Sequence, residues 1–171
     1  SSIAILKKAN RWFPVIEPIL KKNNIPDDFK YLAVIESGLS QVVSPAGATG
    51  IWQIMKLTAR ELGLEVNADI DQRYDVVRST EAACKYLNKA YDKYNDWTLV
   101  AASYNAGMNR VDRELERQNE SSFYQMVFGE ETGRYVYRII AAKIFLESPE
   151  KYGFFLQKED LYKPYKLKKV I

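Results

Sequence analysis

The feature that most narrows the fold of this chain is its period. Apolar residues recur every three or four positions almost from end to end, and no stretch alternates apolar with polar side chains. Ile3, Leu6, Ala9, Phe13, Ile16 and Leu20 form one such stripe, and Val76, Thr80, Ala83, Leu87, Tyr91 and Tyr94 a second. Tyr135, Ile139, Ala142 and Leu146 form a third. A period near 3.6 belongs to helices that bury one face, whereas a half-buried strand needs a period of two. The expected fold is therefore all-α.

Local punctuation divides the chain. Pro14 and Pro18 should break or kink the opening helix, because each lacks an N–H and crowds the preceding turn. Asn23 to Pro26 reads as a turn. Asp27 and Asp28 favour the start of a second helix, which runs to about Ser37 with Gly38 as its stop. Residues 39–50, with Ser40, Ser44, Pro45, Gly47 and Gly50, read as a loop, followed by a short helix ending near Gly63. Asp96 is placed to cap a helix from Trp97 to about Asn105, closed by Gly107. Two shorter helical pieces lead to Glu131 and the last long helix. Residues 1–150 are expected to form one globular domain. Residues 151–171 read as a Tyr/Lys-rich extension, packed on the surface or leading to a further module.

Composition removes several classes of chemistry. The 171 residues contain no histidine, which excludes Ser–His–Asp and Cys–His catalysis and nearly all zinc sites; no metal and no cofactor are expected. The net charge of +3, from 25 basic and 22 acidic residues, is too small to argue for nucleic acid. Cys84 stands alone among Ala83, Leu87 and Tyr91 at helical spacing, and reads as a buried small hydrophobe. No apolar run approaches the roughly 20 residues that span a bilayer. The chain opens on Ser1-Ser2, as a trimmed or processed piece would.

One acidic residue stands out. Tyr31 to Ile35 is apolar all round, so the second helix should be buried on most sides, and Glu36 follows on the face of Phe29, Leu32 and Ala33. Burial and the negative end of the helix dipole both favour the protonated carboxyl. A carboxylic acid kept neutral near pH 7 can protonate a leaving oxygen, as glycoside cleavage requires. The alternative is a charged helix end that simply reaches water beyond Gly38. Glu131 is the opposite case, since a helix N-terminus stabilises its negative charge.

Four segments occur in a fixed order: Glu36-Ser37; Ser44-Pro45-Ala46-Gly47-Ala48-Thr49-Gly50-Ile51-Trp52-Gln53-Ile54-Met55; Ala102-Ser103-Tyr104-Asn105-Ala106-Gly107; and Glu131-Thr132 with Tyr135-Val136. Together they resemble the goose-lysozyme-like catalytic domain of lytic murein transglycosylases, over residues 10–155. Gly50-Ile51-Trp52-Gln53 and the Tyr31-Leu32-Ala33 lead-in most resemble the membrane-bound type D branch. Two departures are visible. The interval from Glu36 to Ser44 is one residue shorter than in the soluble-type enzymes, and Ser103 stands where alanine is common.

The resemblance implies a lysozyme-like fold with a substrate groove, and roles for particular residues. Glu36 matches the catalytic acid/base, and Ser44 and Gln53 match residues that hydrogen-bond the sugar. Tyr104 matches a tyrosine whose hydroxyl points at the reacting centre, with Asn105 beside it in the same motif, and Glu131 matches a groove-lining carboxylate. Apart from the resemblance, Trp12, Trp52 and Trp97 could stack on sugars, although large aromatics more often pack inside; Trp52 is the one candidate for the groove. The implied partner is the glycan strand of peptidoglycan, with no nucleic acid, acted on by a monomer in the periplasm or cell envelope. A lipid anchor or wall-binding modules would lie outside this piece. The implied reaction cleaves the β-1,4 bond after N-acetylmuramic acid and closes a 1,6-anhydro ring. Rival expectations are a lysozyme-type hydrolase on the same fold, an inactive glycan-binding module and a purely structural helical domain.

Overall fold

The computed structural model describes residues 1–167. Seven α-helices account for most of it: α1 (Ser2–Lys22), α2 (Lys30–Ser37), α3 (Lys56–Glu61), α4 (Val76–Tyr94), α5 (Trp97–Ala106), α6 (Met108–Gln118) and α7 (Glu130–Glu147). Among the described residues β structure is confined to isolated bridges, two of which, Val43 with Thr49 and Thr49 with Ile54, fold the loop before α3 back on itself.

The helix boundaries follow from local chemistry. The Asp96 carboxylate accepts from the Thr98 and Leu99 amides and opens α5, and Asp75 does the same for α4 through Arg78. Gly38 closes α2 in a left-handed conformation, φ 59°, that an L side chain rarely adopts. The prolines do not break the helix: α1 runs continuously through Pro14 and Pro18. Both lie one turn apart on its exposed side. On the opposite side Ile16 and Leu20, fully buried, keep α1 packed against α4. Burial of that face, about 1.5–3 kcal/mol for each large aliphatic side chain, offsets the lost backbone bonds.

Helix α5 is the hub. It packs against α4, α6 and α7, and Leu99, Val100, Ala101, Ala102 and Ser103 are all buried. Its residues are small or apolar on every side, which is what a helix surrounded by others requires. Helix α2 is similarly enclosed, with Tyr31, Leu32, Ala33 and Val34 buried and α7 lying along it. Cys84 is fully buried in α4, and burial pushes its thiol up to about 12, so it behaves as an apolar residue.

After α7 the chain turns back across α1. Asn10 Nδ2 donates to the Tyr162 carbonyl at 2.9 Å, Tyr165 N donates to the Arg11 carbonyl at 3.2 Å, and the Tyr165 ring lies 5.1 Å from that of Trp12. Of the extension expected at 151–171, residues 168–171 lie outside the described residues.

Candidate active site

Glu36 is the penultimate residue of α2, held there because Gly38 ends the helix and Leu39 is buried behind it. Its carboxyl is half-buried. Loss of hydration pushes its affinity for a proton up from the ordinary glutamate value, and Glu131 adds a smaller push in the same direction. Two groups oppose this: the Tyr135 hydroxyl, which donates to Glu36 Oε1, and the guanidinium of Arg138. Burial wins. Arg138 Nη2 also donates to the Ile35 carbonyl at 3.2 Å, which places its charge at the C-terminal end of α2.

Tyr135 is a site residue that the sequence reading used only as part of a motif. Its ring is 2% exposed, and its hydroxyl would be stranded in the core without an acceptor. The usable signal was its place on the buried stripe of α7, since a buried tyrosine hydroxyl requires a partner.

The loop between α2 and α3 is tied down at its centre. The Ser37 hydroxyl lies 2.8 Å from the Ile51 carbonyl, so the residue after the acid anchors the loop to α2. The Tyr104 hydroxyl donates to the Trp52 carbonyl at 2.7 Å, and Trp52 Nε1 donates to Thr80 Oγ1 of α4 at 2.8 Å. Trp52 is therefore a correction to the sequence reading. Its side chain is 0% exposed, turned into the core with its indole N–H satisfied, and does not face a groove. Trp97 stacks on Tyr91 at 4.1 Å and Trp12 meets Tyr165, so both contribute to packing.

The other sequence-derived site residues divide. Gln53, Tyr104 and Asn105 line one cleft of about 250 Å³, together with Met55, Tyr86 and Gly107. Gln53 holds a positive φ of 50°, and its Nε2 donates to the Val42 carbonyl at 3.0 Å and the Gly50 carbonyl at 2.9 Å. Both amide protons are thus engaged, and Oε1 is left to accept from a ligand. Tyr104 feels the Glu36 charge, and burial with that charge holds its hydroxyl far above the ordinary tyrosine range. It stays protonated, with its proton committed to Trp52.

Asn105 Nδ2 donates to Glu131 Oε1 at 3.2 Å, and its Oδ1 accepts from Thr132 Oγ1 at 3.0 Å, which joins the end of α5 to the start of α7. Ser44 stands apart from the cleft lining. Its Oγ accepts from the Ala48 amide at 3.0 Å and stabilises the turn through Pro45 to Gly47. Larger hollows exist elsewhere, including one of about 520 Å³ between α1 and the C-terminal segment. That one is lined by Phe13, Phe154 and Phe155 and holds none of these residues.

Glu36 is not among the residues that line the mostly apolar cleft of Gln53 and Asn105; Tyr104, which does line it, is the residue that feels the Glu36 charge. The all-helical, lysozyme-like fold is shared with solved structures. The chain superposes on the lytic transglycosylase Slt of Pseudomonas aeruginosa, as an inactive mutant, with a TM-score of 0.63 at 21% identity, covering 88% of this chain and 26% of that one. It superposes on the 70-kDa soluble lytic transglycosylase of Escherichia coli with a TM-score of 0.64 at 23% identity, covering 80% and 24%. Residues 13–127 match the family model described as the transglycosylase SLT domain, and the chain belongs to that family. It is 36% identical over 149 residues to membrane-bound lytic murein transglycosylase D of Escherichia coli strain K12, covering 82% of this chain and 32% of that protein. The chain thus spans about a third of the length of this relative.

Proposed function

We propose that this domain is a peptidoglycan lytic transglycosylase in which Glu36 is the only acid/base. The observation that carries the reading is the Glu36 carboxyl itself, half-buried, favouring its protonated form and oriented by Tyr135. A protonated carboxyl in that setting donates to the oxygen linking N-acetylmuramic acid to N-acetylglucosamine. As that bond breaks, the N-acetyl oxygen of the same sugar stabilises the cation at its anomeric carbon. Glu36, now a carboxylate, takes the proton of the muramoyl 6-hydroxyl while that oxygen closes on the anomeric carbon. The ring product is 1,6-anhydro-muramic acid, Glu36 regains its proton, and no water is consumed.

The surrounding residues have matching parts. Gln53 Oε1 accepts from a sugar hydroxyl or amide, and Ser44, outside the cleft lining, has a hydroxyl proton to donate to a sugar that extends past the cleft. Tyr104 presents its phenolic oxygen beside the reacting bond, and Asn105 lines the cleft with its side chain held by Glu131. Ordinary glycosidases use a second carboxylate as nucleophile or base. Here Glu131, the remaining carboxylate of the motifs, is engaged by Asn105, which favours the tethered 6-hydroxyl over a water. Well-aligned intramolecular nucleophiles reach effective molarities of about 10⁵–10⁸ M.

Residues 1–150 would constitute the catalytic unit, working as a monomer at the cell envelope, with any membrane anchor supplied by other parts of the protein. No helix among the described residues is long and apolar enough to cross a membrane. Mass spectrometry of the products from purified peptidoglycan tests the reading. Muropeptides ending in 1,6-anhydro-muramic acid, lighter by one water and inert to borohydride, are expected. Reducing ends would make the enzyme a hydrolase, and intact glycan would leave a binding module.

A further inference from the structure

The segment before α4 carries a buried cation that the reaction above does not use. Arg73 is 7% exposed and belongs to a 3₁₀ turn, Gln72–Tyr74. Its Nε and Nη2 donate to the two oxygens of Asp71 at 2.9 and 2.7 Å, a forked pair that fixes the plane of the guanidinium. Its Nη1 is thereby aimed at the loop between α2 and α3, donating to the carbonyls of Gly47 at 3.0 Å and Ile54 at 3.1 Å. These acceptors are seven residues apart on either side of Gly50 and Gln53, so one side chain closes the base of the loop.

The backbone follows the same path. A Cβ on Gly50 would stand 2.3 Å from the Arg73 carbonyl oxygen, so the loop approaches this segment as closely as glycine alone allows. On the far side Gln41 Nε2 donates to the Tyr74 carbonyl at 2.8 Å. Residues 71–74 therefore act as a template against which the loop is shaped.

We infer that Arg73, locked by Asp71, is a positioning residue for glycan binding. By holding Gly47 and Ile54 together it fixes the left-handed backbone at Gln53, and so the direction in which Gln53 Oε1 meets the sugar. The inference rests on the glycan-cleaving reading for the identity of the ligand, but the clamp itself can be tested without it. A lysine at this position keeps the charge but has three donors on one atom and no fork, so it cannot pair both Asp71 oxygens and both carbonyls at once.

Two measurements on Arg73→Lys decide the matter. Amide hydrogen exchange should accelerate by about tenfold or more across residues 44–54, while the buried amides of α4 and α5 keep their protection. With solubilised peptidoglycan the apparent KM should rise by about tenfold and kcat should move by much less, as expected when binding shared by ground and transition states is lost. In Arg73→Ala, millimolar guanidinium should recover part of the lost KM. Asp71→Asn should reproduce the KM effect in weaker form, which supplies a second reading if Arg73→Ala does not fold. Unchanged loop exchange in Arg73→Lys would overturn the inference, as would a loss of thermal stability with the parental KM retained. If the parental protein releases no cleaved glycan, the functional reading fails, and loop exchange alone then decides whether the clamp exists.

Discussion

The Tyr135 hydroxyl donates to the carboxyl of Glu36 across a separation of 99 residues in the chain, joining α7 to the end of α2. The two side chains modify each other. The phenol favours the charged carboxylate, while burial, and after it the carboxylate, hold the phenol's proton affinity far above its ordinary range. Tyr135 therefore orients the acid and moderates its proton affinity without competing as a proton donor.

Glu36→Gln should abolish glycan cleavage, a loss of about 10⁴-fold or more because one residue serves both proton transfers. The amide oxygen can still accept from Tyr135, so the fold should persist. The sign of the stability change follows from burial. Folding raises the Glu36 pKa above 4.5, so the ionised form disfavours the fold as pH rises through the folded value, and below 4.5 the penalty is absent. Melting temperatures of parent and variant should coincide at low pH, with the variant melting higher near neutrality. A variant that melts lower at every pH would contradict the assignment of a desolvated acid.

Tyr135→Phe removes a contact that favours the carboxylate, so the Glu36 pKa should rise further and the alkaline limb of the pH–rate profile should move to higher pH. The maximal rate should fall by about tenfold, because the carboxyl loses its orienting bond; about 1.4 kcal/mol corresponds to that factor. A profile shifted to lower pH would show that the tyrosine favours the neutral acid instead.

Trp52→Ala should cost about 3–5 kcal/mol of stability in urea denaturation, as for other buried tryptophans. Trp52→Phe keeps most of the packing and strands no polar group, since Thr80 Oγ1 still donates to the Val76 carbonyl at 2.6 Å. Its affinity for peptidoglycan should match the parent, whereas a stacking tryptophan in the groove would show a loss.

Gly47 and Gly50 both have positive φ, 86° and 82°, but only Gly50 faces a backbone oxygen. Gly47→Ala should cost about 1–2 kcal/mol, the penalty for a left-handed L residue. Gly50→Ala must also displace Arg73, and should cost at least twice as much and raise the apparent KM. Equal effects in paired denaturation and kinetic measurements would remove the close approach as an explanation.

The amino-acid sequence by itself determined the all-helical fold and the ends of α2 and α5, and it singled out Glu36 as a candidate acid without deciding between burial and a helix end that reaches water. These are local matters: a period of 3.6 chooses helix, Gly38 stops it and Asp96 starts the next, whereas the loss of water around Glu36 follows from packing. The tertiary structure decided the rest. It turned Trp52 inward to Thr80, carried α1 through Pro14 and Pro18, set Tyr135 against Glu36, and closed the loop with Arg73. Each of these depends on side chains or helices distant in the chain, whose meeting is fixed only when α1, α4, α5 and α7 pack. A local pattern can state that a buried hydroxyl, indole or guanidinium needs a partner. Which partner it receives is settled by the packing that removes water from both.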